Sequence, residues 1–136
     1  MIALYFYARI FKAQPRLPVI RQATPEARSV GTLESTVVYL ALEEGDTLNQ
    51  IGHCLGDFVR TRGRCALPLI LHSFNHLSNR PMALNDARKL YEALPERIYA
   101  EGIRAVEWTT FGWVYELLIQ DIGEIGSKGR IVCPHN

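Results

Sequence analysis

The sequence predicts a single α/β domain, residues 1–136, in which a mixed β-sheet of about five strands carries two main helices. Two observations indicate it. Runs of β-branched and aromatic residues alternate with two segments of helical periodicity. Residues 66–72 are largely apolar, which is typical of a strand covered on both faces. With 136 residues, of which 48% are hydrophobic and 21% charged, the chain is large enough for one buried core.

The first two predicted strands are residues 2–8 and 35–43, which are rich in β-branched and aromatic side chains. Three prolines lie between these strands, at Pro15, Pro18 and Pro25. Because proline cannot donate to a β-ladder, the sequence predicts a long irregular connection here.

The first predicted helix begins after an N-cap at Asp46 or Thr47 and stops at Gly63. Between the cap and Gly63, apolar residues recur at helical spacing. They are Leu48, Ile51, Leu55, Phe58 and Val59. The pattern predicts a helix packed on the sheet.

The second predicted helix begins at Pro81, which suits a first helical position, and is ended or broken at Pro95 and Gly102. Residues 103–109 and 113–120 are the last two predicted strands. The expected order is therefore β-β-α-β-α-β-β.

The tail from Asp121 is expected to be irregular, because Gly123, Gly126 and Gly129 follow closely. The predicted core draws on both helices, the strand at residues 66–72 and the last strand. It comprises Leu55, Phe58, Ile70, Leu90 and Leu118.

Charge and cysteine content limit the class of protein. A formal net charge of +1 argues against a protein that binds nucleic-acid duplexes through many phosphate contacts. Cys54, Cys65 and Cys133 lack C-x-x-C spacing and are read as reduced thiols of a cytoplasmic protein. The apolar N-terminus is interrupted at Arg9 and is too short to span a membrane.

Several sequence blocks point to one family. The second strand reads TVVYLALE from Thr36 to Glu43, a loop reads FNHLS from Phe74 to Ser78, and FGW follows at Phe111. These blocks resemble the N-terminal editing domain of archaeal threonyl-tRNA synthetases, whose fold is shared with D-aminoacyl-tRNA deacylases. The resemblance implies a D-aminoacyl-tRNA deacylase-like fold over nearly the whole chain.

The resemblance also implies a site at the ends of the strands. By this resemblance Leu42 and Glu43 lie at the strand end that contacts the terminal adenosine through backbone groups. His76 would orient the water or the ribose. Backbone N–H groups of residues 73–76 would be donors to the oxyanion. In families of this fold the terminal 2′-hydroxyl of the tRNA is itself thought to assist.

The family pattern is altered at several polar positions. Tyr7 and Arg9 stand where the first strand of the family has a histidine and an aspartate. Val114 and Tyr115 stand where the family has a tyrosine and then a lysine that holds the substrate and water. Tyr115 therefore occupies the place of the key cation.

These arguments give a set of candidate residues. The catalytic candidates are His76 and Tyr115. The substrate-binding candidates are Tyr7, Leu42, Glu43, Ser73, Phe74, Asn75, Phe111, Gly112 and Trp113. No metal or cofactor is expected, because His72 and His76 lack the glutamate and the helix of a metalloprotease motif. Ser73 and Ser78 lack the G-x-S-x-G elbow of a nucleophile.

Two functions remain open. The first is a freestanding trans-editing deacylase that hydrolyses serine mischarged on threonine tRNA, which retention of His76 favours. The second is a non-catalytic relative that binds a tRNA end, a nucleotide-like ligand or a synthetase, which Tyr115 favours. The expected partners are the aminoacyl-tRNA 3′ end, a threonyl-tRNA synthetase and, through the aromatic strand at Tyr5 and Phe6, a second copy of the chain. A membrane is not expected as a partner.

Overall fold

The computed structural model describes residues 1–62 and 66–133. The fold class is confirmed: one mixed sheet carries two helices. In chain order the elements are β1 (Ile2–Pro18), β2 (Val30–Thr32), β3 (Ser35–Ala41), α1 (Leu48–Thr61), β4 (Leu69–Ser73), a 3₁₀ turn (Asn75–Leu77), α2 (Leu84–Tyr99), β5 (Val106–Trp108), β6 (Trp113–Asp121) and β7 (Lys128–Val132).

Seven strands fill five positions in the sheet. β2 and β3 form one interrupted strand along β1, because Thr32 lies opposite Phe11 and Ser35 opposite Ala8 in an unbroken register. On the other side of β1, β6 pairs with its second half and β7 with its first half. β4 and β5 complete the sheet as parallel neighbours of β3. The expected number of about five strands corresponds to these positions.

The helices are the two crossovers of the parallel half. α1 connects β3 to β4, and α2 connects β4 to β5. Both helices contribute buried residues to the core that also contains Leu69 and Leu71 of β4. Thr47 is the N-cap of α1, as predicted, and its hydroxyl accepts a hydrogen bond from the N–H of Gln50. Gly63, the expected stop of α1, lies outside the described residues.

α2 differs from the prediction at both ends. Pro81 does not begin the helix but forms an isolated β-bridge with Glu43, and α2 starts at Leu84. Pro95 does not end it either, since the helix continues to Tyr99. Buried Leu94 and Ile98 flank the proline, so packing offsets the hydrogen bond that its missing N–H removes.

The predicted irregular connection after residue 8 is wrong for its first part. β1 continues to Pro18 and pairs with β6, with register shifts after Ala8 and between Pro15 and Leu17. β2 begins at Val30 opposite Ala13, so in the described sheet Pro15 is paired with β6 alone, and proline is tolerated at such an edge position.

The tail and one core residue also need correction. Residues 128–132 form β7 on β1 instead of an irregular segment. Of the predicted core, Leu55, Phe58 and Ile70 are buried and Leu90 packs against the core. Leu118 is 54% exposed, because Leu117 and Ile119 face the core and the alternation of β6 turns Leu118 outward.

The reading of the cysteines as reduced thiols is wrong for two of them. Cys54 on α1 and Cys133 after β7 form a disulfide, with their Cα atoms 6.0 Å apart, within the range that a disulfide spans. Cys65 lies outside the described residues. In the described part of the chain no helix has the length and apolarity needed to cross a membrane.

Candidate functional site

A cavity of about 310 Å³ lies where β4 and β5 end and β6 begins. Eight of the predicted site residues line it: Ser73, Phe74, Asn75, His76, Phe111, Gly112, Trp113 and Tyr115. The remaining lining residues are Val19, Ile20, His72, Leu84, Thr109, Thr110 and Val114. None of these lining residues carries an Asp, Glu, Lys or Arg side chain, so the described wall is neutral apart from its histidines.

The segment between β1 and β2 closes one wall of the cavity, and we call residues 19–28 the strap. It contacts the turn between β5 and β6 and the start of β6, and its Arg28 side chain also pairs with Glu107 and lies over the Trp108 ring on β5. The N–H of Val19 donates to the Gly112 carbonyl at 2.8 Å, and the Trp113 Nε1–H donates to the Thr24 carbonyl at 2.9 Å. Gly112 has φ of +84°, and a Cβ there would meet Ile20 of the strap. The strap therefore fits a turn that needs glycine.

Tyr115 fastens the same strap. Its hydroxyl accepts a hydrogen bond from the N–H of Thr110 at 2.8 Å and donates to the carbonyl of Arg28 at 2.7 Å. The single hydroxyl proton is therefore directed at the strap. Tyr115, which the sequence predicts at the place of the family lysine, lines the cavity, but its hydroxyl is engaged by backbone groups.

The rim of the cavity is the 3₁₀ turn after β4. The N–H of Phe74 donates to the Leu40 carbonyl at 2.8 Å, which fixes the start of the turn. Asn75 and His76 are its first residues, so their N–H groups have no partner within the turn. The His76 side chain is exposed, and its ring centroid lies 5.7 Å from that of Phe74. This rim can present N–H donors and an imidazole to a ligand.

The floor of the cavity includes His72, which is only 8% exposed. Its Nδ1 lies 2.7 Å from the hydroxyl oxygen of Thr109. Burial lowers the pKa of His72 to about 4, so the imidazole is neutral at neutral pH. Tyr91 supports this pair from below, since its hydroxyl lies 2.7 Å from the Thr109 carbonyl and 3.0 Å from that of Leu71.

The sequence did not single out His72 and Thr109 as site residues. His72 was considered only as a metal ligand beside His76, and the described residues contain no cluster of His, Cys, Asp and Glu suited to a metal. A usable signal was present, because a histidine in an otherwise apolar strand needs a buried hydrogen-bond partner. The partner lies 37 residues further along the chain, at the end of a neighbouring strand.

Leu42, Glu43 and Tyr7 lie outside this cavity. Leu42 is buried and its carbonyl accepts from the N–H of Met82 at 2.9 Å. The N–H of Glu43 donates to a carboxylate oxygen of Asp46 at 2.7 Å. Tyr7 is 6% exposed in the core beneath the helices.

The Glu43 side chain belongs to a buried ionic cluster. Its carboxylate lies 3.3 Å from the N-terminal ammonium of Met1 and accepts from the Ser78 hydroxyl at 2.6 Å. The same ammonium donates to Asp46 at 2.7 Å. Burial alone would raise the pKa of Glu43, but the Ser78 hydroxyl and the ammonium outweigh it and hold that pKa below its usual value. The cluster is satisfied by its own members.

Comparisons with known proteins agree on the fold. The chain is similar to a solved structure described as "c-Myc DNA Unwinding Element Binding Protein", with a TM-score of 0.73 and 13% identity over 98% of this chain and 99% of that one. It is also similar to a structure described as a probable eukaryotic D-amino acid tRNA deacylase, with a TM-score of 0.68 and 11% identity over 96% and 97% of the two chains. At these identities the similarity concerns fold alone.

No protein with curated function matches the chain. Residues 1–128 match the family described as the Archaea-specific editing domain of threonyl-tRNA synthetase. The match covers nearly the whole chain, including both helices and the cavity between β4 and β6. The chain therefore belongs to the family of archaeal threonyl-tRNA synthetase editing domains.

Proposed function

We propose that this protein is an aminoacyl-tRNA deacylase that hydrolyses serine mischarged on threonine tRNA, acting in the cytoplasm. The observation that carries the proposal is the family match over residues 1–128. The neutral cavity at the carboxyl ends of β4 and β5 supports it, because ligands of α/β sheets bind in this position. A second site is useful because a synthetase pocket discriminates weakly between two small hydroxyl-bearing amino acids.

The rim supplies the groups that ester hydrolysis needs. A water adds to the ester carbonyl carbon and gives up a proton, and the carbonyl oxygen becomes an oxyanion. The bond to the ribose oxygen then breaks as that oxygen takes up a proton, which releases serine and tRNA. In this proposal the N–H groups of Asn75 and His76, which have no partner within the turn, stabilise the oxyanion. The His76 imidazole orients the water or the ribose. The terminal 2′-hydroxyl of the tRNA assists proton transfer, which reduces the demand on protein side chains.

A deacylation panel tests the proposal. Purified protein is incubated with threonine tRNA carrying serine or threonine, and with a D-aminoacyl-tRNA, and the remaining ester is measured over time. We expect fastest loss of the seryl ester, and a slower rate with His76→Ala. Equal rates with and without protein on all three substrates would refute the deacylase.

The position of Tyr115 gives a second test. Tyr115→Lys brings a cation to the cavity and removes the hydroxyl that holds the strap. We expect faster seryl-tRNA hydrolysis from the added positive charge, together with lower stability. Tyr115→Phe is the matched control, because it loses the same hydrogen bonds without adding a charge. Equal rates in the two variants would argue against a role for charge at this position.

The alternative is a relative that binds without hydrolysis. The engaged hydroxyl of Tyr115 and the absence of a charged side chain among the described lining residues favour it. Binding of an aminoacyl-tRNA end that is unchanged by His76→Ala, with no turnover in the parent or in Tyr115→Lys, would decide for this alternative.

The proposed partners are the aminoacyl-tRNA 3′ end, a threonyl-tRNA synthetase and a second copy of the chain. Tyr5 is buried and Phe6 half-buried against Tyr39, so the N-terminal strand leaves less exposed aromatic surface than its sequence suggests. Val114 and Leu118 on β6 are instead 46% and 54% exposed, and they favour β6 as the dimer surface. Light scattering at micromolar concentration measures the oligomeric state, and a monomer would reject the dimer.

A further inference from the structure

The cavity has a polar floor that is separate from its rim. The rim is the exposed 3₁₀ turn with His76, whereas the floor contains the buried pair of His72 and Thr109. The floor is fixed more firmly than the rim, since Thr109 is 2% exposed and Tyr91 is fully buried beneath it. A fixed polar pair on the floor of a small cavity is suited to recognising a small polar group.

The two ring nitrogens of His72 have different environments. Nδ1 is held by the Thr109 hydroxyl at 2.7 Å. Nε2 has no hydrogen-bond partner among the described residues. It also does not belong to the fully enclosed polar atoms that lack a partner, so it keeps some exposed surface. Nε2 is therefore accessible, and the ring to which it belongs lines the cavity.

The preferred ligand of Nε2 follows from its chemistry. Burial holds the pKa of His72 near 4, so an anionic group would find no positive charge on this ring at neutral pH. Thr109 can donate to Nδ1 or accept from it, so Nε2 is either a donor or an acceptor. A hydroxyl group satisfies both cases, because its proton rotates to suit its partner.

We propose that His72 is a specificity-determining residue, whose Nε2 forms a hydrogen bond with the side-chain hydroxyl of the aminoacyl group. This inference rests on the proposed function for the identity of the substrate. The serine hydroxyl forms a hydrogen bond with Nε2, whereas alanine, which differs from serine only by the hydroxyl, covers Nε2 without giving it a partner. Thr109 is a positioning residue that holds Nδ1, and Tyr91 holds Thr109.

The test compares serine and alanine in binding and in hydrolysis. Binding uses non-hydrolysable 3′-amide analogues of seryl- and alanyl-adenosine, measured by calorimetry with the full chain. We expect the parent to prefer the seryl analogue by about tenfold to a hundredfold. His72→Phe fills a similar volume without ring nitrogens and should lose this preference, while His72→Gln should recover part of it. His53→Gln is the matched control, because His53 is exposed on α1 and lies outside the cavity.

The outcomes separate this inference from the proposed function. A preference for the seryl analogue that is lost in His72→Phe supports it even if the protein hydrolyses no aminoacyl-tRNA, a result that would refute only the deacylase. An equal loss of seryl and alanyl binding or hydrolysis in His72→Phe would overturn it, since the ring would then act on the water or a shared group. No change in His72→Phe would overturn it as well.

The positioning role of Thr109 has its own readout. In ¹⁵N NMR spectra the parent should show one fixed tautomer of His72, and Thr109→Val should give a mixture of tautomers with a weaker preference for the seryl analogue. An unchanged tautomer and an unchanged preference in Thr109→Val would show that Thr109 does not orient the ring.

Discussion

The carboxyl ends of β3 and β4 lie side by side in the sheet, yet they are built in opposite ways. After β3, the polar groups of Glu43, Asp46 and the Met1 ammonium bind one another in a closed ionic cluster. At the end of β4 and in the 3₁₀ turn that follows, His72, Asn75 and His76 line a cavity. We call these the closed end and the open end.

A position at the carboxyl edge of the sheet is therefore not sufficient to make a binding site. Both ends have the location at which α/β proteins bind ligands. At the closed end each charge has an opposite charge or a donor within hydrogen-bond distance, so a ligand would have to compete with the protein's own contacts. At the open end Nε2 of His72 still lacks a protein partner among the described residues.

The largest expected effect concerns the closed end. Asp46→Ala removes a carboxylate with a fully buried side chain and leaves the ammonium and the Glu43 N–H without it. We expect the free energy of unfolding to fall by about 3–5 kcal/mol. The control is Asp86→Ala, an exposed acid in the first turn of α2, which should cost less than about 1 kcal/mol. Urea denaturation gives both values, and similar values would mean that the cluster stabilises little.

The second expected effect concerns pH at the open end. His72 has a pKa of about 4 in the folded protein against about 6.5 in the unfolded chain, so the unfolded chain binds the extra proton first. The free energy of unfolding should therefore fall by about 3 kcal/mol as pH decreases from about 6.5 to 4. His72→Phe removes this titration, and its stability should decline less over the same window. Parallel curves for parent and variant would contradict the prediction.

A third comparison uses two glycines with positive φ. Gly112 and Gly123 have φ of +84° and +70°, so alanine is strained at both. A Cβ at Gly112 also meets Ile20 and Ala23 of the strap, whereas none would be met within 4 Å at Gly123. We expect Gly112→Ala to cost about 1–3 kcal/mol more than Gly123→Ala in thermal or urea unfolding. An equal cost would show that the strap yields without loss.

The smallest expected effect is at Tyr115. Tyr115→Phe removes the bonds to Thr110 and Arg28, and should lower the free energy of unfolding by about 1–2 kcal/mol. Amide hydrogen exchange should become faster in the strap, because its anchor is lost. Tyr99→Phe is the control, since Tyr99 is 52% exposed and, within residues 1–62 and 66–133, its hydroxyl bonds to Arg104 alone. Unchanged exchange in the strap would mean that the other contacts hold it.

Local sequence signals predicted the parts of the fold that depend on local chemistry. The Thr47 cap, the periodic stripe of α1 and the apolar run of β4 are each written within a few residues, and all three are present. Family-specific blocks likewise pointed to residues 74–76 and 111–113, which line the cavity. What failed was the continuation of β1 through Pro15, which depends on pairing with β6 about 100 residues away.

Composition, periodicity and short sequence blocks were enough to predict the fold class, the family and the residues of the rim, because each of these signals is carried by neighbouring residues. The tertiary structure alone decided which polar groups remain available. Glu43 is paired by an ammonium 42 residues before it, Tyr115 is paired by the strap 87 residues away, and His72 is held through Thr109. Whether a polar group has a hydrogen-bond partner depends on groups that are distant in the chain and close in space. The sequence therefore proposed both ends as part of a site, and the fold distinguished the open end from the closed one.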